Sequence, residues 1–148
     1  MPENKLYLPE GLRPPVPLAL DHLREALETG DILEAPVQRC GVDHTLLLNL
    51  GGVQGRIPRE EAVAPWISGA DRDIAVLSRV GKPTCFTVTA LESDGKGAPV
   101  ALLSRRAAQE KAIAYFLEHL EPGAVLTGRV TRLESFGAFV DVGCGIVA

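Results

Sequence analysis

Between Asp31 and Pro58 the sequence leaves helical spacing and takes up a strand pattern. In "DILEAPVQRCGVDHTLLLNLGGVQGRIP" the β-branched or apolar positions are Ile32, Val37, Leu46, Leu48 and Leu50. Side chains of a strand alternate between its two faces, so this spacing predicts three strands with one face buried. Tight turns join them. One is "GVDH"; the other is "LGGVQG", where Gly51 and Gly52 permit backbone angles that a side chain forbids. Further on, "TCFTVTALESDGKGAPVALLSRR" predicts a hairpin, because two apolar runs flank the Gly/Asp-rich "SDGKG". That makes five principal strands, antiparallel by their short connections.

Helical spacing brackets the strands. In "DHLREALETGD", Leu20, Leu23 and Leu27 share a face, Asp21 is placed to cap the helix and Gly30 to stop it. In "AAQEKAIAYFLEHLEPG", Ala112, Ile113, Phe116, Leu117 and Leu120 fall on one side, and Pro122-Gly123 ends the run. "PREEAVAPW" reads as a helical turn, and "RDIAVLSRVGKP" carries one more short apolar run. Residues 1–17 are proline-rich and with little period, which predicts a lead-in that is extended or partly disordered.

Part of the pattern occurs twice. "LETGDILEAPVQRC" from Leu27 and "LEPGAVLTGRVTRL" from Leu120 match at a constant offset: Leu27 with Leu120, Gly30 with Gly123, Leu33 with Leu126, Val37 with Val130, Arg39 with Arg132. After a one-residue shift, the stretch ending at Gly51 matches "VDVG" ending at Gly143, and Gly55 matches Ala148. Each copy of a repeat is one supersecondary unit. The expected organisation is an N-terminal extension and short helix (1–26), a first unit (27–106), a linker helix (107–119) and the start of a second unit (120–148). The second copy holds two strands and the start of a third. The expectation is therefore a piece of a longer protein, with residues 121–148 disordered or paired with the first unit or another chain, since open strand edges seek partners.

The second copy, "PGAVLTGRVTRLESFGAFVDVGCGIVA", resembles the opening of the RNA-binding repeat of the small-subunit ribosomal protein S-one, also present in polynucleotide phosphorylase and ribonuclease E. "FGAFVDVG" carries most of the likeness, which is strong over 120–148, moderate over 27–106 and poor over the lead-in and the stretch near 59–80. The resemblance implies a mainly β fold: a five-stranded antiparallel OB-fold barrel with flanking helices, followed by the start of a second such barrel. It also implies binding of single-stranded RNA, with Phe136 and Phe139 on the RNA face and Gly137 keeping the backbone low between them. Stacking a base on such a ring is worth about 1–3 kcal/mol. The first copy departs from the pattern. It has His44 where the second has Phe136, Leu47 where the second has Phe139, and Pro58 where the family carries a histidine. The imidazole of His44 can still stack. Arg132 in the second copy and Arg39, Arg56, Arg105 and Arg106 in the first are candidate phosphate contacts, although each also fits a solvated surface charge. Arg105 and Arg106 fit a tie between helix and barrel as well. The candidate RNA-binding set is Phe136, Phe139, Arg132, His44, Arg39, Arg56 and Arg105.

Composition narrows the alternatives. The chain has 148 residues, 46% hydrophobic and 23% charged, which suits one globular domain or one domain and part of another. Its net charge of −4 argues against a strongly basic nucleic-acid binder but leaves room for a local basic patch. Cys40, Cys85 and Cys144 form no CxxC pair and read as buried thiols of a reducing compartment. His22, His44 and His119 offer no ligand pair, and no nucleophile elbow or phosphate loop occurs. Glu60 and Glu61 are sequence neighbours, which do not face each other on a helical turn, and read as surface charges. The expectation is no enzyme, no cofactor and no metal. No run of about eighteen apolar residues and no secretory pattern is present, so no membrane association and a cytoplasmic location are expected. The partners expected are single-stranded RNA and the ribosome or ribosomal proteins. The alternative is a protein-interaction module whose degenerate first unit docks a ribosomal or other protein.

Overall fold

The computed structural model describes residues 7–13 and 18–147. Residues 1–6 and 14–17, which hold much of the expected disordered lead-in, and Ala148 lie outside the described residues.

The strands form two sheets. β1 (Leu33–Pro36), β2 (Arg39–Cys40), β3 (Leu46–Leu50), β4 (Val53–Ile57), β5 (Pro83–Ser93) and β6 (Pro99–Ser104) make one curled six-stranded sheet in the order β1-β5-β6-β4-β3-β2. β3 and β4 alternate as their sequences require. Leu46, Leu48, Leu50, Val53 and Ile57 point inward, while Leu47, Asn49, Gln54 and Arg56 point outward. The inward set packs with Phe86, Val88, Ala101 and Leu103 and with Leu23 and Ala26 of α1 (Leu20–Thr29). Burying one large apolar side chain of this kind contributes about 1.5–3 kcal/mol.

Several expectations change. The stretch 31–58 holds four strands rather than three, because the chain leaves the ladder at Val37, whose N–H donates to Lys82 O and whose carbonyl accepts from Gly81. β1 pairs with β5 and β2 with β3, so β1 and β2 occupy opposite edges of the sheet although only Val37 and Gln38 separate them. The sheet is not wholly antiparallel. β4 and β6 run parallel, from Gln54 opposite Val100 to Arg56 opposite Leu102, since the long 58–98 crossover permits it. The apolar run after Arg72 is a short helix, α2 (Asp73–Leu77), and Arg59–Glu61 form a 3-10 turn. The mainly β architecture with flanking helices is consistent with an OB-like fold.

In α1, Ala19 holds the N-cap position without a side-chain bond, so Asp21 does not cap. It lies exposed in the first turn, 3.6 Å from Arg24. Leu27 is 38% exposed, off the buried Leu23–Ala26 face. Gly30 (φ 75°) closes the helix by donating to Ala26 O at 2.8 Å. α3 (Arg105–His119) is capped by Ser104, whose hydroxyl accepts the Ala107 N–H at 2.9 Å. Its buried stripe is Arg105, Ala108, Gln109, Ala112 and Phe116; Leu117 is 80% exposed and Leu120 lies past the helix end.

The second sheet is β7 (Arg129–Glu134), β8 (Gly137–Gly143) and β9 (Ile146–Val147), in sequence order. It docks on α3: Cys144 and Ile146 pack with Cys85, Ala108, Ala112 and Phe116. A clasp from the lead-in holds it there. Glu10 is buried. Its carboxylate accepts from Arg105 Nε at 2.9 Å and Nη2 at 2.6 Å, from the Cys85 N–H at 2.9 Å, and lies 3.2 Å from Arg79 Nη2. The Glu10 N–H donates to Asp141 at 2.9 Å, and its carbonyl accepts from Arg129 at 2.8 Å. The other Asp141 oxygen accepts the N–H groups of Gly143 at 2.9 Å and Gly145 at 3.1 Å. Gln109 adds a bridge, donating to Cys144 O at 3.0 Å and accepting from the Ala64 N–H at 2.8 Å. Gly145 needs to be glycine here: its φ is 77°, and a Cβ would meet Arg105 and Glu10.

Burial opposes ionisation of Glu10, but the Arg105 and Arg79 guanidiniums outweigh it and hold the carboxyl below its ordinary range. Burial raises the carboxyl of Asp141, against the pull of its backbone N–H donors.

Candidate nucleic-acid interface

The structure sorts the candidate residues into two clusters and removes one. The first cluster stands on β7 and β8. Phe136, in the turn between them, is 80% exposed; Phe139 is half-buried on β8. Their ring centroids are 6.0 Å apart at 87°, edge to face. Arg132 is the cross-strand partner of Phe139, and its exposed guanidinium pairs with Glu134. Alternation along β8 puts Phe139 on the same face as Asp141, which accepts the Glu10 N–H of the lead-in. An exposed ring, a half-exposed ring and a cation thus share one edge of the second sheet.

The second cluster is a cross-strand row on the outer face of the first sheet. Arg39 lies opposite Leu47, and Leu47 opposite Arg56. Both arginines are exposed, and Arg56 Nε donates to Gln54 at 2.9 Å. Neither makes an ion pair among the described residues. His44 sits half-buried in the loop joining β2 to β3, at φ 64°, with its N–H bonded to Gly41 O at 3.0 Å. Pro58 precedes the 3-10 turn and offers no polar side chain.

Arg105 leaves the phosphate-contacting set. It is 5% exposed, donates to Glu10 through Nε and Nη2 and to Ala62 O at 3.2 Å, and Glu10 raises its pKa against the effect of burial. Its guanidinium ties α3 to the lead-in. Arg106 is half-exposed and pairs with Glu110 one helical turn on, at 2.9 Å. Glu61 is half-buried and accepts the Ser104 hydroxyl at 2.8 Å, so of the two adjacent carboxylates only Glu60 is a plain surface charge. Cys85 and Cys144 are buried and Cys40 is half-buried. Burial pushes the Cys85 thiol far up, which keeps it protonated. No group of His, Cys, Asp or Glu able to hold a metal ion occurs among the described residues. No helix among them is long and apolar enough to cross a membrane.

A groove of about 610 Å³ runs between the loop after the 3-10 turn and the second sheet. Trp66 and Ile67 line one wall, and Arg132, Phe139 and Val147 the other. It adjoins a cavity of about 370 Å³ that Arg79, Lys82 and Arg129 border, together with Glu10 and Asp141. Ile67, Ser68, Thr131 and Val147 belong to both, so the aromatic groove and the cationic cavity are continuous. The sequence pattern did not single out Trp66, Lys82 or Arg129 as site residues. One signal was present: Trp66 is the sole tryptophan of the chain.

No family model matches the chain. Curated relatives do. The small ribosomal subunit protein bS1 of Staphylococcus haemolyticus is 31% identical over 127 residues, 83% of this chain and 30% of that protein. The bS1 homolog of Bacillus subtilis is 27% identical over 124 residues, 84% of this chain and 30% of that protein. The chain therefore spans about 30% of the length of the curated relatives it matches.

Proposed function

We propose, from the premise of the S1-type domain that these bS1 relatives support over most of the chain, that the protein binds single-stranded RNA in association with the ribosome in the cytoplasm. The observation that carries this is the pair Phe136–Phe139, held edge to face at 6.0 Å with one ring 80% exposed and Arg132 beside it. An exposed aromatic ring with a cation beside it is what a single strand needs, a π-face for the base and a positive charge for its phosphate. In this proposal the first sheet is a five-stranded OB barrel, with β1 and β2 as the two halves of one strand kinked at Val37, so that its opposite edges belong to one continuous segment. The second sheet is then the opening of another barrel, and the chain divides at 1–26, 27–106, 107–119 and 120–148. Arg39, Arg56 and His44 form a weaker site on the first unit, and two weak sites on one chain gain by effective concentration. The proposal assigns no catalytic step.

Phe136→Ala tests it. Removing one stacked ring costs about 1–3 kcal/mol, roughly a 5- to 150-fold loss of affinity, read by fluorescence anisotropy of a labelled oligonucleotide. Unchanged affinity sinks the assignment. A second proposal, docking of a protein on the first unit, draws on the net charge of −4 and on Leu47 and His44 replacing aromatic rings. A salt series separates the two, because RNA binding weakens steeply as salt rises and an apolar interface does not.

A further inference from the structure

Trp66 stands on a loop that is firmly held. Ala64 just before it is fully buried and its N–H is bonded to Gln109 at 2.8 Å; the Ile67 N–H bonds back to Ala64 O at 3.0 Å and Ala70 to Ile67 O at 3.1 Å. The indole is nevertheless 47% exposed, on a side chain with a large apolar area to bury. It lines the groove beside the apolar Ile67, with Phe139, Arg132 and Val147 on the other wall. The apolar lining of this slot suits a flat ring, and what lies beyond it decides which kind. The continuous inner cavity presents Arg79, Lys82 and Arg129. Both carboxylates there are already engaged, Glu10 by Arg105 and Arg79 and Asp141 by the N–H groups of Glu10, Gly143 and Gly145, while Lys82 makes no ion pair among the described residues. An aromatic-walled slot opening onto an unneutralised ammonium matches a nucleotide, base in the slot and phosphate at the cation, better than it matches an apolar peptide.

We infer that Trp66 forms a second base-stacking site, taking one nucleotide between its indole and Phe139 with the phosphate at Lys82 and Arg129. This rests on the RNA-binding proposal and extends it. The binding surface is composite: a strand stacked on Phe136 continues past Phe139 into a groove whose other wall belongs to the first unit. Trp66 lies in the 59–80 stretch, where likeness to the repeat family is poor, so it adds a contact that the "FGAFVDVG" motif does not contain.

The full chain reports on itself, since its single tryptophan is the residue in question. A short oligouridylate labelled at one end is titrated at low salt, with its anisotropy and the Trp66 emission followed together. The expected result is quenching of Trp66 with the same midpoint as the anisotropy change. Trp66→Ala should bind at least about 5-fold more weakly and Trp66→Phe should recover most of the loss, in line with the worth of one stacked base. Lys82→Gln, a surface change with no structural bond to break, should flatten the logarithmic salt dependence by about 0.7. If RNA binds and depends on Phe136 but Trp66 emission does not change and Trp66→Ala binds equally well, this inference is overturned and the RNA-binding proposal survives. If anisotropy does not change at all, both fail.

Discussion

Replacing Glu10 by Gln keeps the shape of the side chain and removes its charge. Two guanidiniums then lose their counter-ion. The Arg105 side chain is 6% exposed and that of Arg79 16%, so water cannot take over. Leaving a buried charge uncompensated costs about 3–5 kcal/mol. The new amide adds a further conflict, since both carboxylate oxygens accept from N–H donors: Arg105 Nε and the Cys85 N–H on one, Arg105 Nη2 on the other. Whichever way the amide turns, a donor faces a donor. For a domain of this size 1 kcal/mol is about 2–4 °C, so Glu10→Gln should lower the melting temperature by on the order of 10 °C, followed by circular dichroism at neutral pH. Arg105→Met combined with Glu10→Leu should recover much of this, because an apolar pair has no charge to strand. A loss below about 1 kcal/mol for Glu10→Gln would refute the view that the clasp depends on charge. The pH dependence has a definite sign. The carboxyl of Glu10 is depressed in the folded chain from an ordinary 4.5. Its contribution is therefore complete above that value and lost as pH falls through the lower, folded one. Asp141 has the opposite sign. Its raised pKa favours the folded state while the group is protonated, a gain lost as pH rises through the folded value. Comparing wild type with Glu10→Gln isolates the first effect, and the variant should show the shallower loss of stability in acid.

Three further outcomes are expected. Asp141→Asn leaves one backbone N–H of the clasp facing an amide donor and should cost about 1–3 kcal/mol, read as a lower urea midpoint. Ser104→Ala removes the cap of α3 and the partner of Glu61, and should cost about 1 kcal/mol in the same measurement. If the outer row of the first sheet touches RNA, Arg39→Gln and Arg56→Gln should each reduce the logarithmic salt dependence of binding by about 0.7 without changing the melting temperature; an unchanged slope would leave those charges to solvent.

Periodic segments were legible in the sequence. β3 and β4 follow alternation, the β5–β6 hairpin follows two apolar runs about a turn, all local signals, and α1 and α3 lie where helical spacing puts them. What was not legible depends on distant partners. Hydrophobic spacing placed Leu117 on the buried side of α3, but the stripe runs through Arg105 and Gln109. Those polar residues are buried because Glu10, Ala62, Ala64 and Cys144 satisfy them, and none of the four is near in sequence. Glu10 itself hid in a proline-rich lead-in without period. The parallel β4–β6 pairing is set by the return of the chain after a long crossover, which no window of a few residues records. At the candidate interface, Phe136 and Phe139 belong to a motif, and the structure brings their rings together. Trp66 and Lys82 carry none; the docking of the second sheet brings Trp66 to the same groove as Phe139 and leaves Lys82 in the cavity beside it.

The clasp also sets a timetable for the nascent chain. Three of the partners of Glu10, Cys85, Arg105 and Asp141, lie 75, 95 and 131 residues further along. At about 5–20 residues per second of synthesis, the carboxylate waits several seconds for its first guanidinium, and the Glu10 N–H waits longer for Asp141. Until then it remains hydrated and its segment unanchored. The first sheet needs only residues up to Ser104 and completes its hydrogen-bonded ladder before β8 exists. Closing a loop that long adds little entropy cost over a shorter one, but the distant ends must find each other, which is the slow part of folding. The Glu10 segment is thus secured only after the strands it clasps have been made.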